Sequence, residues 1–145
     1  MIRMKSKLVD LIKKQKDNFP LDQSFYVDKD IYDIDLKNIF FNQWIFVGHE
    51  SRIPKKGDYF LFNVGDESII VIRGNNQKVN CFYNVCRHRG SHICLEKEGK
   101  KNKLICPYHS WVYDLEGNLI KARMMPENFN KDEWGLHKCN SKNFE

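Results

Sequence analysis

Four residues of this sequence can share one piece of inorganic chemistry. They come as two pairs, Cys86-Arg87-His88 and Cys106-Pro107-Tyr108-His109, separated by a Lys-rich spacer over residues 89–105. Two cysteine–histidine pairs can hold a two-iron, two-sulfur cluster, with the thiolates on one iron and the imidazoles on the other. Replacing two anionic thiolates by neutral imidazoles makes such a cluster less negative. Its potential then lies above that of an all-cysteine cluster. Each pair is followed by a turn, and Pro107 stiffens the second loop. Zinc draws on the same residue types, so a zinc-stapled structural module is one alternative. Common zinc spacings keep two cysteines together and two histidines together, which this sequence does not do. Plain core use of the four residues is the other alternative.

Most of the scaffold that must position these pairs reads as β. Tyr59 to Val64 alternates apolar and polar residues, and Ser68 to Arg73 carries the continuous run Ile69-Ile70-Val71-Ile72. Gly65-Asp66 and Gly74-Asn75-Asn76 supply the turns between them and the next strand, Lys78 to Asn84, which leads into the first pair. Leu104-Ile105 leads into the second pair and Trp111 to Tyr113 leaves it. Glu116-Gly117-Asn118 then turns the chain into Leu119-Ile120. Short strands at this spacing predict a small antiparallel β sandwich or barrel.

Ahead of the β region, residues 4–16 predict an amphipathic helix with Leu8, Leu11 and Ile12 on one side, ended by Phe19-Pro20. Residues 20–31 read as an extended arm. A helix over residues 35–43, capped by Asp33 or Asp35, would pack its Leu36, Ile39, Phe40 and Gln43 face on the sheet. Trp44 to Gly48 reads as a short buried strand, and Pro54 to Asp58 as a turn.

A length of 145 residues suits one domain with a real core. No apolar run approaches the length needed to span a bilayer, and Met1 to Lys16 lacks the apolar stretch and cleavage site of a signal peptide. No membrane role and a cytoplasmic location are therefore expected. Five cysteines, two of them assigned, do not make a disulfide framework. The net charge of +5 is modest and scattered, and no aromatic-and-basic groove accompanies it, which speaks against nucleic acid. Lys97, Lys100, Lys101 and Lys103 read as a solvated loop, or as a docking patch for an acidic redox partner.

The segments Phe82 to Gly90 and Cys106 to Leu119, with Trp44 to Gly48 and Gly57-Asp58-Tyr59, closely resemble one family. It is the N-terminal Rieske domain of Rieske non-haem iron oxygenase large (alpha) subunits. The resemblance spans roughly residues 25–139. Ser110 departs from it, since the family usually has Gly there. The runs Arg89 to Cys94 and Ala122 to Met125 look most like the branch that demethylates quaternary amines such as glycine betaine. Aromatic ring hydroxylation stays open.

The resemblance implies a mainly β Rieske-type fold with two cluster-binding loops and an N-terminal helical arm. It implies one [2Fe–2S] cluster on Cys86, His88, Cys106 and His109, with Tyr108, Trp111 and Arg89 around them. It implies one-electron transfer from a ferredoxin or flavin reductase to a mononuclear Fe(II) on an oxygenase catalytic domain, of this subunit or of a neighbouring alpha subunit. It also implies that His109 bridges, through an acidic residue, to the mononuclear iron of a neighbouring subunit. On this reading residues 1–34 are the arm, 35–139 the Rieske domain, and 140–145 the lead-in to a catalytic domain missing here. A free-standing Rieske ferredoxin-like carrier is the alternative.

Trp111 stands where high-potential members have a serine that donates to a cluster sulfur, which implies a potential near the lower end of the Rieske range, about −150 mV. His49, His92 and His137 show no pairing that would make an oxygen-activating iron site. His92 and Cys94 are expected to pack under the first loop, Cys81 to face inward from a strand, and Cys139 to pack.

Overall fold

The larger sheet is built on strand β2 (Glu67–Arg73), which is covered on both faces. Ile70 and Ile72 join one apolar cluster with Tyr59 and Phe82. Ile69 and Val71 join a second with Ile53, Phe60 and Cys81. Burial on both faces is why this strand is continuously apolar rather than alternating. The structure is a computed structural model that describes residues 2–144, with side chains from residue 7 onward.

Strand β2 pairs antiparallel with β1 (Asp58–Val64) on one side and β3 (Val79–Tyr83) on the other. Val64 stands opposite Glu67, so Gly65-Asp66 forms the expected two-residue hairpin. Strand β1 also pairs with β4 (Glu98–Lys100), giving the order β3-β2-β1-β4. Strand β4 departs from the solvated loop expected for the Lys-rich spacer. Its side chains are exposed, so the pairing rests chiefly on the backbone: the Lys101 N–H donates to the Gly57 carbonyl at 2.9 Å, and Lys100, opposite Asp58, adds a 3.9 Å ion pair to it.

The second sheet has three strands, β5 (Leu104–Ile105), β6 (Val112–Tyr113) and β7 (Leu119–Lys121), in that order. The Asp114 carboxylate fixes the turn between β6 and β7 by accepting the backbone amides of Glu116 and Asn118. Gly117 in that turn has φ +87°, and a Cβ there would lie 2.5 Å from the Phe82 ring, so both conformation and space require glycine. Leu104, Trp111, Tyr113, Leu115 and Leu119 share one core with Ile70, Ile72 and Phe82. The antiparallel β architecture expected from the sequence is the one observed.

The chain divides into two compact units, Met1–Phe46 and Val47–Glu145. The first holds helices α1 (Ile2–Lys13), α2 (Ser24–Val27) and α3 (Lys29–Asp35) and a π turn at Leu36–Phe40. Helix α1 stops three residues before the predicted end. It half-buries Leu8 and Leu11 and leaves Ile12 exposed.

The arm expected to be extended over residues 20–31 is largely helical. Asp28 starts α3 by accepting the amides of Asp30 and Ile31, and Lys29 pairs with Asp33 one turn on. Asp28 is thus the cap, rather than Asp33 or Asp35. The predicted 35–43 helix is the end of α3 widened into a π turn, in which the Phe41 amide reaches the Leu36 carbonyl at 2.9 Å. On the face expected to pack, Ile39 and Phe40 are exposed. Trp44 to Gly48 forms no strand, and Trp44 and Phe46 are 65% and 83% exposed. The run has no alternation, and no described strand pairs with it, so apolar composition alone did not make it β.

No helix of the described residues is long and apolar enough to cross a membrane. Residues 140–144 form no strand. Met1 and Glu145, which bound the segments 1–34 and 140–145, lie outside the described residues.

Candidate metal centre

Two loops of the same build present the cysteine–histidine pairs. In the first, the Cys86 N–H donates to the Ser91 carbonyl (2.8 Å), and the Cys86 carbonyl accepts from Gly90 N–H (3.0 Å). In the second, the Cys106 N–H donates to the Trp111 carbonyl (2.9 Å), and the Cys106 carbonyl accepts from Ser110 N–H (3.0 Å). Both loops turn through the left-handed region at the fourth residue past the cysteine, Gly90 at φ +72° and Ser110 at +57°. Glycine adopts that conformation freely, whereas a residue with a Cβ is strained there by roughly 1–2 kcal/mol. Serine at this position therefore keeps the loop's path and stores strain.

Asn84, fully buried, anchors the first loop. Its side-chain oxygen accepts the amides of Ile93 (3.0 Å) and Cys94 (2.9 Å), and its nitrogen donates to the Cys94 carbonyl (2.8 Å). The chain leaving the loop is thereby held against the residue that precedes it. Arg87 braces the same loop by donating to the Gly135 carbonyl at 2.9 Å.

The loops bring the four chemical residues together with sulfur and nitrogen sorted by depth. Cys86 and Cys106 are 1% and 2% exposed, and their thiols face each other. The imidazoles of His88 and His109 are half-buried, edge to face, with ring centroids 4.6 Å apart. Their Nδ1 atoms are buried without a hydrogen-bond partner, the only such side-chain atoms among the described residues. A buried polar nitrogen without a partner costs free energy unless something binds it, so these two atoms fit the role of metal ligands.

Burial pushes the Cys86 thiol up, while the Tyr113 hydroxyl pulls the other way. Burial, with His109 and Arg89 nearby, holds the His88 imidazole below its ordinary range, which favours the neutral ring that can ligate a metal. A metal would displace the thiol protons as it bound. Among the described residues no three of His, Cys, Asp and Glu converge on one point. A tetrahedral zinc site needs four ligands around one ion, whereas two bridged irons need two ligands each. The donor set therefore fits a two-iron, two-sulfur cluster and fits a single zinc poorly.

The surrounding aromatics are unequal. Trp111 is fully buried and stacks on His88 at 4.8 Å and 8°, wedged by Phe129 and Trp134. Its indole N–H donates to the Arg123 carbonyl at 3.3 Å rather than to a cysteine sulfur. Tyr108 is 61% exposed, with its ring 3.8 Å from that of His109. Arg89 is exposed at the tip of the first loop. Cys94 packs beneath that loop as expected, 1% exposed, but His92 is exposed rather than packed. The His49 Nδ1 caps a short 3-10 turn by accepting the Ser51 amide, and His137 is exposed.

Tyr113 was not legible as a site residue. Its hydroxyl lies 3.3 Å from the Cys86 sulfur and accepts the Arg87 amide at 3.2 Å. Burial, and then Cys86, push this phenol far up, so it stays a donor. Its place in β6 two residues past the inward-facing Trp111, the spacing that returns to one face of an extended chain, is the local signal that could have found it.

The chain belongs to the Rieske [2Fe-2S] domain family, which matches residues 43–138. Such a domain binds a [2Fe–2S] cluster. Among curated relatives, the glycine betaine monooxygenase oxygenase subunit of Pseudomonas aeruginosa is 41% identical over 128 residues, covering 88% of this chain and 30% of the relative. The benzene 1,2-dioxygenase subunit alpha of Pseudomonas putida is 38% identical over 117 residues, covering 79% and 26%. Among solved structures, the quaternary ammonium Rieske monooxygenase CntA superposes with a TM-score of 0.71 at 36% identity, over 79% of this chain and 33% of that one. Naphthalene 1,2-dioxygenase from Rhodococcus sp. superposes at 0.82 with 26% identity, over 94% and 32%. The chain thus spans about a third or less of the length of these relatives.

Proposed function

We propose that the chain is the electron-accepting module of a Rieske oxygenase large subunit. In this reading Cys86 and Cys106 hold one iron through their sulfurs, and His88 and His109 hold the other through Nδ1. Bound there, the cluster supplies one-electron redox chemistry at a potential above that of an all-cysteine ferredoxin. The buried cysteines keep the sulfur end dry. Tyr113 donates to the Cys86 sulfur, and Trp111 fixes the plane of His88. The half-exposed imidazoles leave their outer edges toward solvent, so the His109 outer nitrogen is placed to meet an acceptor and to hold a proton when the module is reduced. The observation that carries the reading is the pair of buried Nδ1 atoms without partners, opposite two buried thiols.

The donor in this reading is a ferredoxin or flavin reductase. The acceptor is a mononuclear iron in an oxygenase catalytic domain, of the same subunit or of a neighbouring one. Residues 1–34 serve as an arm, residues 35–139 as the Rieske module, and residues 140–145 lead toward the catalytic part. The likeness to a glycine betaine monooxygenase subunit favours oxidative demethylation of a quaternary amine, in the cytoplasm. The likeness to benzene dioxygenase supports ring hydroxylation as a second reading.

The test is reduction of iron- and sulfide-loaded protein by NADH through a flavin reductase. Full reduction, seen as partial bleaching with about one electron taken up per chain, is expected, since the cluster is a one-electron centre. Protein that dithionite bleaches but no reductase or ferredoxin can reduce would overturn the assignment.

A further inference from the structure

We propose that Cys81 and Cys139 form a reversible disulfide that staples the segment leaving the Rieske domain to the edge of its larger sheet. Strand β3 is an edge strand, and residues 137–139 run antiparallel beside it. The Tyr83 N–H donates to the His137 carbonyl at 3.0 Å, and the Cys139 N–H donates to the Cys81 carbonyl at 2.9 Å. The bridge between them pairs Phe82 with Lys138, so the register sets Cys81 directly opposite Cys139. The Cys139 N–H bond to the Cys81 carbonyl puts the two at a hydrogen-bonded position, where Cα atoms lie about 5.5 Å apart, within the roughly 4.4–6.8 Å that a disulfide spans. Both side chains lie on one face, in the apolar cluster of Ile53, Phe60, Ile69 and Val71.

Both thiols are free, and both lie outside the two ligand loops. The Cys139 thiol reaches the neighbouring Asn140 carbonyl at a long 3.8 Å, a contact easily given up. The two differ in access: Cys139 is half-buried and Cys81 is buried. That difference divides the chemistry, with hydrogen peroxide as the oxidant. The Cys139 thiolate attacks one peroxide oxygen and the O–O bond breaks. A sulfenic acid forms on Cys139, and hydroxide leaves and is protonated to water. The Cys81 sulfur then attacks the sulfenic sulfur. The S–S bond forms, the S–O bond breaks, and a second water leaves with the Cys81 proton. Two thiols are oxidised by two electrons in all, and one peroxide is reduced to two waters. Burial holds both thiols above their ordinary range, so the first attack is slow.

The staple has a reach beyond its own strand. The loop it closes, residues 81–139, contains both cysteine–histidine loops. Gly135, just before the stapled segment, takes the hydrogen bond from Arg87 beside Cys86. Closing so long a loop restricts the unfolded chain and raises stability.

The experiment treats cluster-loaded protein with excess hydrogen peroxide, blocks free thiols, and maps a non-reducing tryptic digest by mass. A peptide pair joining Cys81 to Cys139, lighter by two hydrogens and restored by dithiothreitol, is expected, with a higher urea midpoint than the reduced protein. The link and the shift in midpoint should both vanish in Cys139→Ser and Cys139→Ala. Cys139 oxidised past sulfenic acid with no link, or a link to another cysteine, would overturn the proposal. An unchanged thiol pair under peroxide that oxidises surface methionines would overturn it as well.

Discussion

Replacing Tyr113 by phenylalanine removes one oxygen and leaves the ring that packs in the core. The hydroxyl makes two bonds in a fully buried place: 3.3 Å to the Cys86 sulfur and 3.2 Å from the Arg87 amide. A donor to a cysteine sulfur stabilises the more negative, reduced state, so its loss lowers the midpoint potential. A hydrogen bond to a charged group is worth about 1.5–3 kcal/mol, and only the part that differs between redox states counts. Taking that part as roughly 1 kcal/mol gives a fall of about 40 mV for one electron. The same change leaves the Arg87 amide without its acceptor, at a cost of about 1–3 kcal/mol in stability. A redox titration of the loaded variant against wild type reads the first effect, and urea unfolding reads the second. A midpoint that rises, or that stays within about 10 mV of wild type, a quarter of the shift worked out from the bond strength, would refute the reasoning.

Three further outcomes are expected. Ser110→Gly should stabilise the protein by about 0.5–1 kcal/mol in urea unfolding, because relief of left-handed strain exceeds the extra flexibility of glycine in the unfolded chain; a loss of stability would contradict the strain at φ +57°. Asn84→Ala strips acceptors from the Ile93 and Cys94 amides and should cost roughly 3 kcal/mol or more; a cost below about 1 kcal/mol, less than one buried bond, would show that the first loop does not depend on it. The Cys94 thiol is pushed up to about 11 by burial, so it stays protonated in the fold where the unfolded chain would ionise. Its contribution is therefore complete below about pH 9 and is lost as pH rises toward 11, narrowing the gap between wild type and Cys94→Ala by roughly 2–3 kcal/mol; a gap that stays flat over that window would argue against a buried thiol.

What could be read from the sequence followed from how local each signal was. The β1–β2 hairpin declared itself through alternation, a continuous apolar partner and Gly65-Asp66 between them. The two ligand pairs declared themselves by residue type and spacing. Strand β4 could not be read, because its Glu98, Gly99 and Lys100 are exposed and pair with β1 chiefly through the backbone, with surface ion pairs to Arg52 and Asp58 added. Trp44 to Gly48 misled because apolar composition does not say whether anything covers a segment. The Asp28 cap was readable two residues before Asp30, yet the more apolar stretch after Asp35 drew the helix start too far along. Asn84 and Tyr113 act across 10 and 27 residues of sequence, on Cys94 and Cys86, and only the fold brings those partners together.

The most direct measurement is metal and sulfide analysis joined to low-temperature spin resonance of dithionite-reduced protein loaded anaerobically. About two irons and two acid-labile sulfides per chain are expected. The spin signal should show coupling to imidazole nitrogen that is lost in His88→Ala and His109→Ala. Protein that stays colourless, takes up one zinc instead, or gives a signal without nitrogen coupling would contradict the ligand set Cys86, His88, Cys106 and His109.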